Sequence, residues 1–508
     1  MAKKREDRGK EKKPEGGIEC NLDGDYISPI NSFQDISIEN IKSVVFHSRY
    51  AQSIIVLTII GFFLRFYNLG FNSLWLDEAS TNTFAQMSLS GIWQVTAGGE
   101  FNPPLFHWIE HFMLMMGNNE VVLRFVPALL GVLTIPLIYL VGKEFMDRNV
   151  GIIAAAAFAF SPFLIFYSQE ARTYSMLLFF VAFSMVFYFR ALKRNELKDW
   201  ALFGILSALA FWSHFYSFVI IASLIFYAIL MQMTNIQKNI QNLKMIAVSI
   251  ILFIVLCFPL IILAMQLFAA RTSSEPAFGI QGLGIISETF RQFSGFSDIS
   301  MYLLIILFII GIIQAFLIDK NKGFFLVTLT FLTFVISFIL SFKMPMVPRY
   351  MIFFETIFFI GIAVSYMSFY RLINNRGVVY GFVAFLVILS APILVNYYSG
   401  YSKDDWRGFS GQIQQVTKPG DLVVVVPGYV SQPLNYYYSN ASDKTFEFSA
   451  NTGQQLEAIN AGKGNNSAFF IVTNDISAAN PDGDAIAWLE ANTKSLGQNT
   501  GIYLFVSA

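Results

Sequence analysis

Long apolar runs separated by short polar breaks make up most of the chain. A membrane span needs about 17 to 25 predominantly apolar residues. About eleven stretches have that character: 51–66, 121–142, 150–167, 174–191, 200–214, 216–233, 245–268, 301–318, 323–342, 350–370 and 377–396. Only Ser213, His214 and Phe215 part the fifth from the sixth. Beyond residue 396 the pattern changes to short apolar runs punctuated by Gly, Asn and Ser. Runs at 421–427, 468–473 and 501–506 predict buried strands, and stretches near 403–417, 453–462 and 482–493 predict helices between them. The expected fold is therefore an all-α polytopic membrane protein of about eleven spans, residues 51–396, followed by a small α/β domain, residues 397–508. Residues 1–50 mix bases with acids and lack an apolar core, which predicts a disordered tail rather than a signal peptide.

Composition agrees with that reading. Of 508 residues, 55% are hydrophobic and 13% charged, where a soluble domain carries roughly 25% charged residues. A soluble surface cannot be built from so few polar groups. The 34 basic residues balance the 34 acidic ones, which argues against a nucleic-acid partner. Cys20 and Cys257 are the whole thiol inventory and exclude a disulfide framework.

The distribution of charge is more informative than its sum. Twenty-one of the basic residues fall in the tail and the segments that share its side, and seven on the opposite side before residue 397. The positive-inside rule then puts the N-terminus in the cytoplasm and the C-terminus outside, in a plasma membrane. Three long segments lie outside: 67–120, 269–300 and the C-terminal domain.

Those outer segments hold the candidate chemistry. Asp77 and Glu78 are adjacent carboxylates just beyond the first span, suited to a general base or a ligand. Glu100, Asn102 and His107 flank the Pro103-Pro104 pair, which predicts a helix start. His107-Trp-Ile-Glu110-His111 matches the H-x-x-E-H pattern of zinc peptidases, with both imidazoles on one helix face. Glu170, Arg172 and Tyr174 join the third and fourth spans, and Arg349 and Tyr350 stand at the start of the tenth. Arginine near a bilayer is costly unless it is paired or functional, and a lipid phosphate is a natural partner. Arg271 opens the second outer loop, whose Gly/Ser-rich stretch can act as a lid.

In order and spacing these segments resemble the GT-C membrane glycosyltransferases, within the protein O-mannosyltransferase-like superfamily that includes the aminoarabinose transferases of lipid A. The resemblance runs through Ser73-Leu-Trp-Leu-Asp77-Glu78-Ala79, Asn102-Pro-Pro-Leu-Phe-His107, Leu123-Arg-Phe-Val-Pro-Ala128 and Ser161 to Tyr174. It continues in Pro348-Arg-Tyr350 and Lys403-Asp-Asp-Trp-Arg407. It implies an inverting transfer of a sugar from a polyprenyl-phosphate donor to an acceptor hydroxyl at the extracytoplasmic face, on a glycan, lipid or protein. Asp77 would be the base and Glu78 its catalytic neighbour. Aminoarabinose transferases carry an Arg and a Lys where this chain has Ser80 and Asn102, so the donor phosphate is expected on Arg172, Arg349 and Arg271. Glu100, Asn102, His107, Glu170, Tyr174 and Tyr350 are then expected to line the substrate pocket. Oligosaccharyltransferases carry a Trp-Trp-Asp triplet, whereas Trp406 stands between Asp405 and Arg407.

Two other classes compete with this one. A transporter or flippase of lipid-linked sugars predicts internal repeats and mid-bilayer charges, and a zinc peptidase would use His107, Glu110 and His111. No cofactor is required by the leading reading. A divalent ion has candidate ligands in Glu100, His107 and His214.

Overall fold

A computed structural model describes residues 37–233, 236–273, 275–276, 278–375, 377–438 and 445–507. Most of the expected tail, with Cys20, lies outside the described residues. Its end does not continue as tail: Ile38–His47 is a helix, because the Ser37 hydroxyl caps it by accepting from the Asn40 amide at 3.1 Å.

Among the described residues, eight helices are long and apolar enough to cross a membrane, fewer than the eleven expected. They are Arg49–Phe66, Glu120–Phe145, Tyr174–Arg194, Asn239–Thr272, Asp298–Ile318, Lys320–Leu340, Phe354–Ile373 and Gly377–Ser399. A ninth exists if Arg148–Phe160 and Pro162–Ser168 count as one span bent by 60°. The bend follows from local chemistry: Ser161 is extended and caps the second half, whose first position is Pro162. The remaining two candidates, Leu197–Ser213 and Ser217–Gln232, have 17 and 16 residues. At 1.5 Å per residue these measure about 24–26 Å, shorter than the roughly 30 Å hydrocarbon core.

Glycines let these helices touch backbone to backbone. A Cβ added to Gly311 would stand 1.8 Å from the Gly361 carbonyl oxygen, and one on Gly142 would stand 2.7 Å from Gly151 Cα. Small residues at such crossings are how helices pack where lipid removes the hydrophobic drive.

One end of the bundle carries short helices instead of plain loops. Leu76–Ala85, Leu89–Ala97 and Leu105–Met113 follow the first span. Gly284–Phe293 is a helix within the second long loop, starting where the Gly/Ser-rich stretch of that loop ends. The C-terminal domain sits on this same end.

That domain contains five strands: β1 (Leu422–Val426), β2 (Phe446–Ser449), β3 (Ala468–Thr473), β4 (Thr493–Asn499) and β5 (Ile502–Ser507), in the order β2-β1-β3-β5-β4. β1 is parallel to β2 and β3, while β5 runs antiparallel to β3 and β4. The interior strands β1, β3 and β5, and the helices Trp406–Val416, Gly453–Ala461 and Asp484–Asn492 match the apolar pattern closely. β2 and β4 were not expected, because they are sheet edges without a continuous apolar run.

Polar contacts fasten the domain to the bundle. Arg407 Nη2 lies 2.5 Å from Glu120 Oε1, and the Tyr437 hydroxyl donates to the same oxygen at 2.6 Å. The Leu74 amide donates to Tyr437 Oη at 2.8 Å, and Ser73 Oγ donates to Asp405 at 3.1 Å.

Candidate active site

Asp77 and Glu78 are neighbours in sequence that face opposite surroundings. They occupy the first turn of Leu76–Ala85, where acids favour the helix dipole. Successive residues on a helix point about 100° apart, so only one of the two can face the cavity.

Glu78 is completely buried and held from three sides. Arg124 Nε and Nη2 each donate to it at 2.7 Å, one to each carboxylate oxygen. Lys403 Nζ stands 2.9 Å away, and the Ala171 amide donates at 2.8 Å. Burial alone would push the Glu78 carboxyl up, but the charges of Arg124 and Lys403 prevail and hold it at about 2. Arg124 also donates to the carbonyls of Leu69, Asn72 and Ser73 at 2.8–2.9 Å, gathering the turn that precedes the acidic helix. Glu78, expected as the catalytic neighbour of Asp77, is thus enclosed by partners of its own. Its oxygens are saturated and turned away from solvent.

The side chain of Asp77 is 25% exposed, and two guanidinium groups approach it. Arg172 Nε lies 3.9 Å and Arg349 Nη2 3.8 Å from its Oδ2. Both distances exceed a hydrogen bond. Arg172 is steadied by the Asp77 carbonyl at 3.3 Å and the Thr81 hydroxyl at 3.4 Å. Arg349 lies over the rings of Trp75 and Tyr350, at 5.6 and 5.7 Å. The Nε atoms of both arginines are buried without a hydrogen-bond partner. Polar hydrogens left unpaired in this way leave the pair able to accept an anion.

Of the expected pocket residues, Glu170, Tyr174 and Tyr350 surround this triad. Glu170 is buried beside Lys403, 3.5 Å away, and its Oε2 has no partner. Burial raises its carboxyl, which Lys403 opposes and Glu78 reinforces. Tyr174 packs edge-on against Tyr167, and Tyr350 stacks on Tyr216 at 5.0 Å. Glu100 accepts from the Asn102 side-chain amide, and its charge acts on Arg172.

Arg271 does not reach Asp77 in this arrangement. Its guanidinium donates to the Gly99 carbonyl at 3.0 Å and lies over Phe101.

The zinc pattern does not assemble. Among the described residues no three His, Cys, Asp or Glu side chains converge on a point that could hold a metal. His111 Nδ1 faces the Ala85 carbonyl at 2.8 Å. His107 is buried with Nε2 unpartnered, and burial together with the nearby Arg172 charge lowers it to about 3, which keeps it neutral. Burial pushes the Glu110 carboxyl well up. His214 accepts from the Tyr216 amide at 3.2 Å and packs against Tyr174 and Tyr350 rather than joining Glu100 and His107 as a ligand set.

Several contributors escaped the sequence reading. Arg124 and Lys403 both lie in the motifs that carried the resemblance, so a signal existed. Trp75 lies in such a motif too, whereas Gln432 carried no signal. Gln432 meets the Ser80 hydroxyl across the domain junction.

One cavity reaches the triad at Arg349, and a second lies against Tyr216, which stacks on Tyr350. The first, of about 540 Å³, is lined by Trp75, Phe166, Glu170, Arg349, Lys403 and Asp404 among others. The other, of about 600 Å³, is almost wholly apolar, with Phe101, Phe215, Tyr216, Phe253, Phe268 and Met344 in its wall.

Residues 102–262 match the family model described as dolichyl-phosphate-mannose-protein mannosyltransferase. An uncharacterized protein of Aquifex aeolicus is 28% identical over 200 residues, 38% of this chain, and the match spans 40% of that relative's length. The crystal structure of ArnT from Cupriavidus metallidurans in the apo state superposes over 91% of this chain and 99% of its own, with 10% identity and a TM-score of 0.57. The same protein bound to undecaprenyl phosphate gives a TM-score of 0.54 at 10% identity, over 90% of this chain and 98% of its own. An oligosaccharyltransferase from Archaeoglobus fulgidus, in complex with Zn and sulfate, gives 0.55 at 14% identity, over 89% of this chain and 72% of its own. The resemblance read from the sequence is thus borne out, and the chain has the GT-C fold of membrane glycosyltransferases of the protein O-mannosyltransferase and ArnT type.

Proposed function

We propose that the protein transfers a sugar from a polyprenyl-phosphate donor to an acceptor hydroxyl at the extracytoplasmic face, with inversion and with Asp77 as general base. The observation that carries this reading is a partly exposed carboxylate with two arginines at 3.8–3.9 Å. Asp77 takes the proton of the acceptor hydroxyl, whose oxygen attacks the anomeric carbon. The bond from that carbon to the phosphate oxygen breaks from the opposite side, and polyprenyl phosphate leaves. Arg172 and Arg349 hold the charge that develops on the leaving oxygen.

Without donor, Asp77 is the anion nearest to the two guanidinium groups. A donor phosphate would take over that role and free an Asp77 oxygen to accept the proton. The apolar cavity beside Phe101 and Tyr216 suits the prenyl chain, with Arg271 at its polar end. Glu78 serves as a positioning residue, since it organises Arg124 and Lys403 around the base.

Arg172→Ala and Arg349→Ala, made singly, test the phosphate assignment through equilibrium binding of polyprenyl phosphate to the protein in nanodiscs. Each should weaken binding about tenfold or more, as expected for one charge-assisted contact. Unchanged affinity in both variants would remove the arginines from the donor site.

A further inference from the structure

The cavity of about 540 Å³, the more polar of the two, has features that donor binding does not use. Glu170 is 1% exposed, lines this chamber, and keeps Oε2 without a partner. A buried carboxylate oxygen left unpaired is costly unless a ligand supplies the donor. Trp75 and Phe166 offer aromatic faces in the same wall, and Lys403 and Asp404 add polar groups from the strap that leads into the C-terminal domain.

The C-terminal domain meets this chamber with the part of its sheet that is built for ligands. In an open α/β sheet, ligands bind beyond the carboxyl ends of the parallel strands, where neighbouring strands send their connections in opposite directions. Here β1 leads to β2 on one side, and β3 leads to β5 and β4 on the other. The end of the sheet between β1 and β3, where this rule places a binding crevice, carries Tyr429 after β1 and Asp475 after β3. The Tyr429 hydroxyl donates to the Asp475 carbonyl at 3.4 Å.

The next helix, Ser431–Tyr437, packs on the acidic helix and ties Gln432 to Ser80, so the crevice opens toward Asp77. Burial and then the charge of Asp77 raise the Asp475 carboxyl, and burial and then Asp475 raise that of Asp404. Asp404 thus stands between chamber and crevice.

We propose that chamber and crevice together hold the acceptor, and that the acceptor is an uncharged saccharide. This rests on the glycosyltransferase reading and names its second substrate. Glu170, Asp404 and Asp475 accept hydrogen bonds from sugar hydroxyls, while Trp75 and Tyr429 pack against the apolar faces of sugar rings. Glu170 and Asp475 feel the charge of Asp77, and Asp404 that of Asp475, while the cations of the same wall, Arg349 and Lys403, already face Asp77, Glu78 and Glu170, so an anionic acceptor is disfavoured.

The test uses the full-length protein in nanodiscs on an array of neutral glycans and their sulfated counterparts, with polyprenyl phosphate binding measured in parallel. Neutral glycans should bind in preference to sulfated ones. Tyr429→Ala and Asp475→Ala should each reduce glycan binding about tenfold while leaving polyprenyl phosphate affinity unchanged. Equal binding of sulfated glycans, no glycan binding, or glycan binding untouched by both substitutions would each overturn the assignment. If polyprenyl phosphate binding is also absent, the transferase reading fails with it. If that binding persists, only the acceptor assignment fails.

Discussion

Asp77 and Glu78 illustrate how two identical kinds of charge acquire different tasks from their surroundings. Asp77 meets solvent and two loosely held arginines, while Glu78 is clasped by Arg124 and Lys403 out of reach of water. Replacing Glu78 by Gln leaves two buried cations short of a counter-charge, which costs about 3–5 kcal/mol. Thermal unfolding of purified Glu78→Gln should show that loss. Its pH dependence follows from the depressed Glu78 carboxyl. A group held at about 2 in the fold, against 4.5 normally, contributes stability that is complete above 4.5 and is lost as pH falls through about 2. The gap in melting temperature between the wild-type protein and Glu78→Gln should stay constant from pH 7 to 5 and shrink on further acidification. The acidic pair itself was legible as a sequence feature, since few carboxylates stand just beyond a span. The division of labour within it was not. Arg124 and Lys403 lie 46 and 325 positions from Glu78, and no local pattern links them.

Elements rather than single side chains set where the arginines stand. Arg349 occupies a 3-10 turn, Pro348–Met351, just before the helix Phe354–Val364. That helix is located by its crossing with Asp298–Ile318 at Gly361 and Gly311, where no side chain fits. Gly311→Ala would push the two helices apart at a cost of about 1–3 kcal/mol. We expect a lower melting temperature and a weakened affinity for polyprenyl phosphate, because Arg349 moves with its helix. A lower melting temperature with unchanged affinity would show that the turn is held independently of the crossing. Apolar runs in the sequence mark the long helices well. They do not distinguish a full span from the helices Leu197–Ser213 and Ser217–Gln232, whose apolar content is similar but whose length is short. The bend at Ser161 had a local signal in the Ser161-Pro162 pair, but the apolar run on both sides of it reads as one span.

At the scale of the molecule, a helical bundle and an α/β domain close over one site. The alternation of apolar runs made the domain legible from sequence, but nothing in the pattern showed that the carboxyl ends of its strands face Asp77. That orientation depends on Arg407, Glu120 and Tyr437, a cluster drawn from both parts of the chain. The Arg407–Glu120 pair is half exposed, so a double-mutant cycle with alanine should return about 0.5–1 kcal/mol of coupling. Hydrogen exchange should rise along Trp406–Val416 in either single variant if the cluster fastens the domain, and stay at the wild-type level if it does not. The most direct measurement of the central claim is release of polyprenyl phosphate from a polyprenyl-phosphate sugar by the purified protein in lipid, wild type against Asp77→Asn. The account predicts release by the wild-type protein and a fall of about 10²–10⁴-fold in the variant, with melting temperature and polyprenyl phosphate affinity retained. Release by a stably folded Asp77→Asn protein at the wild-type rate would contradict it.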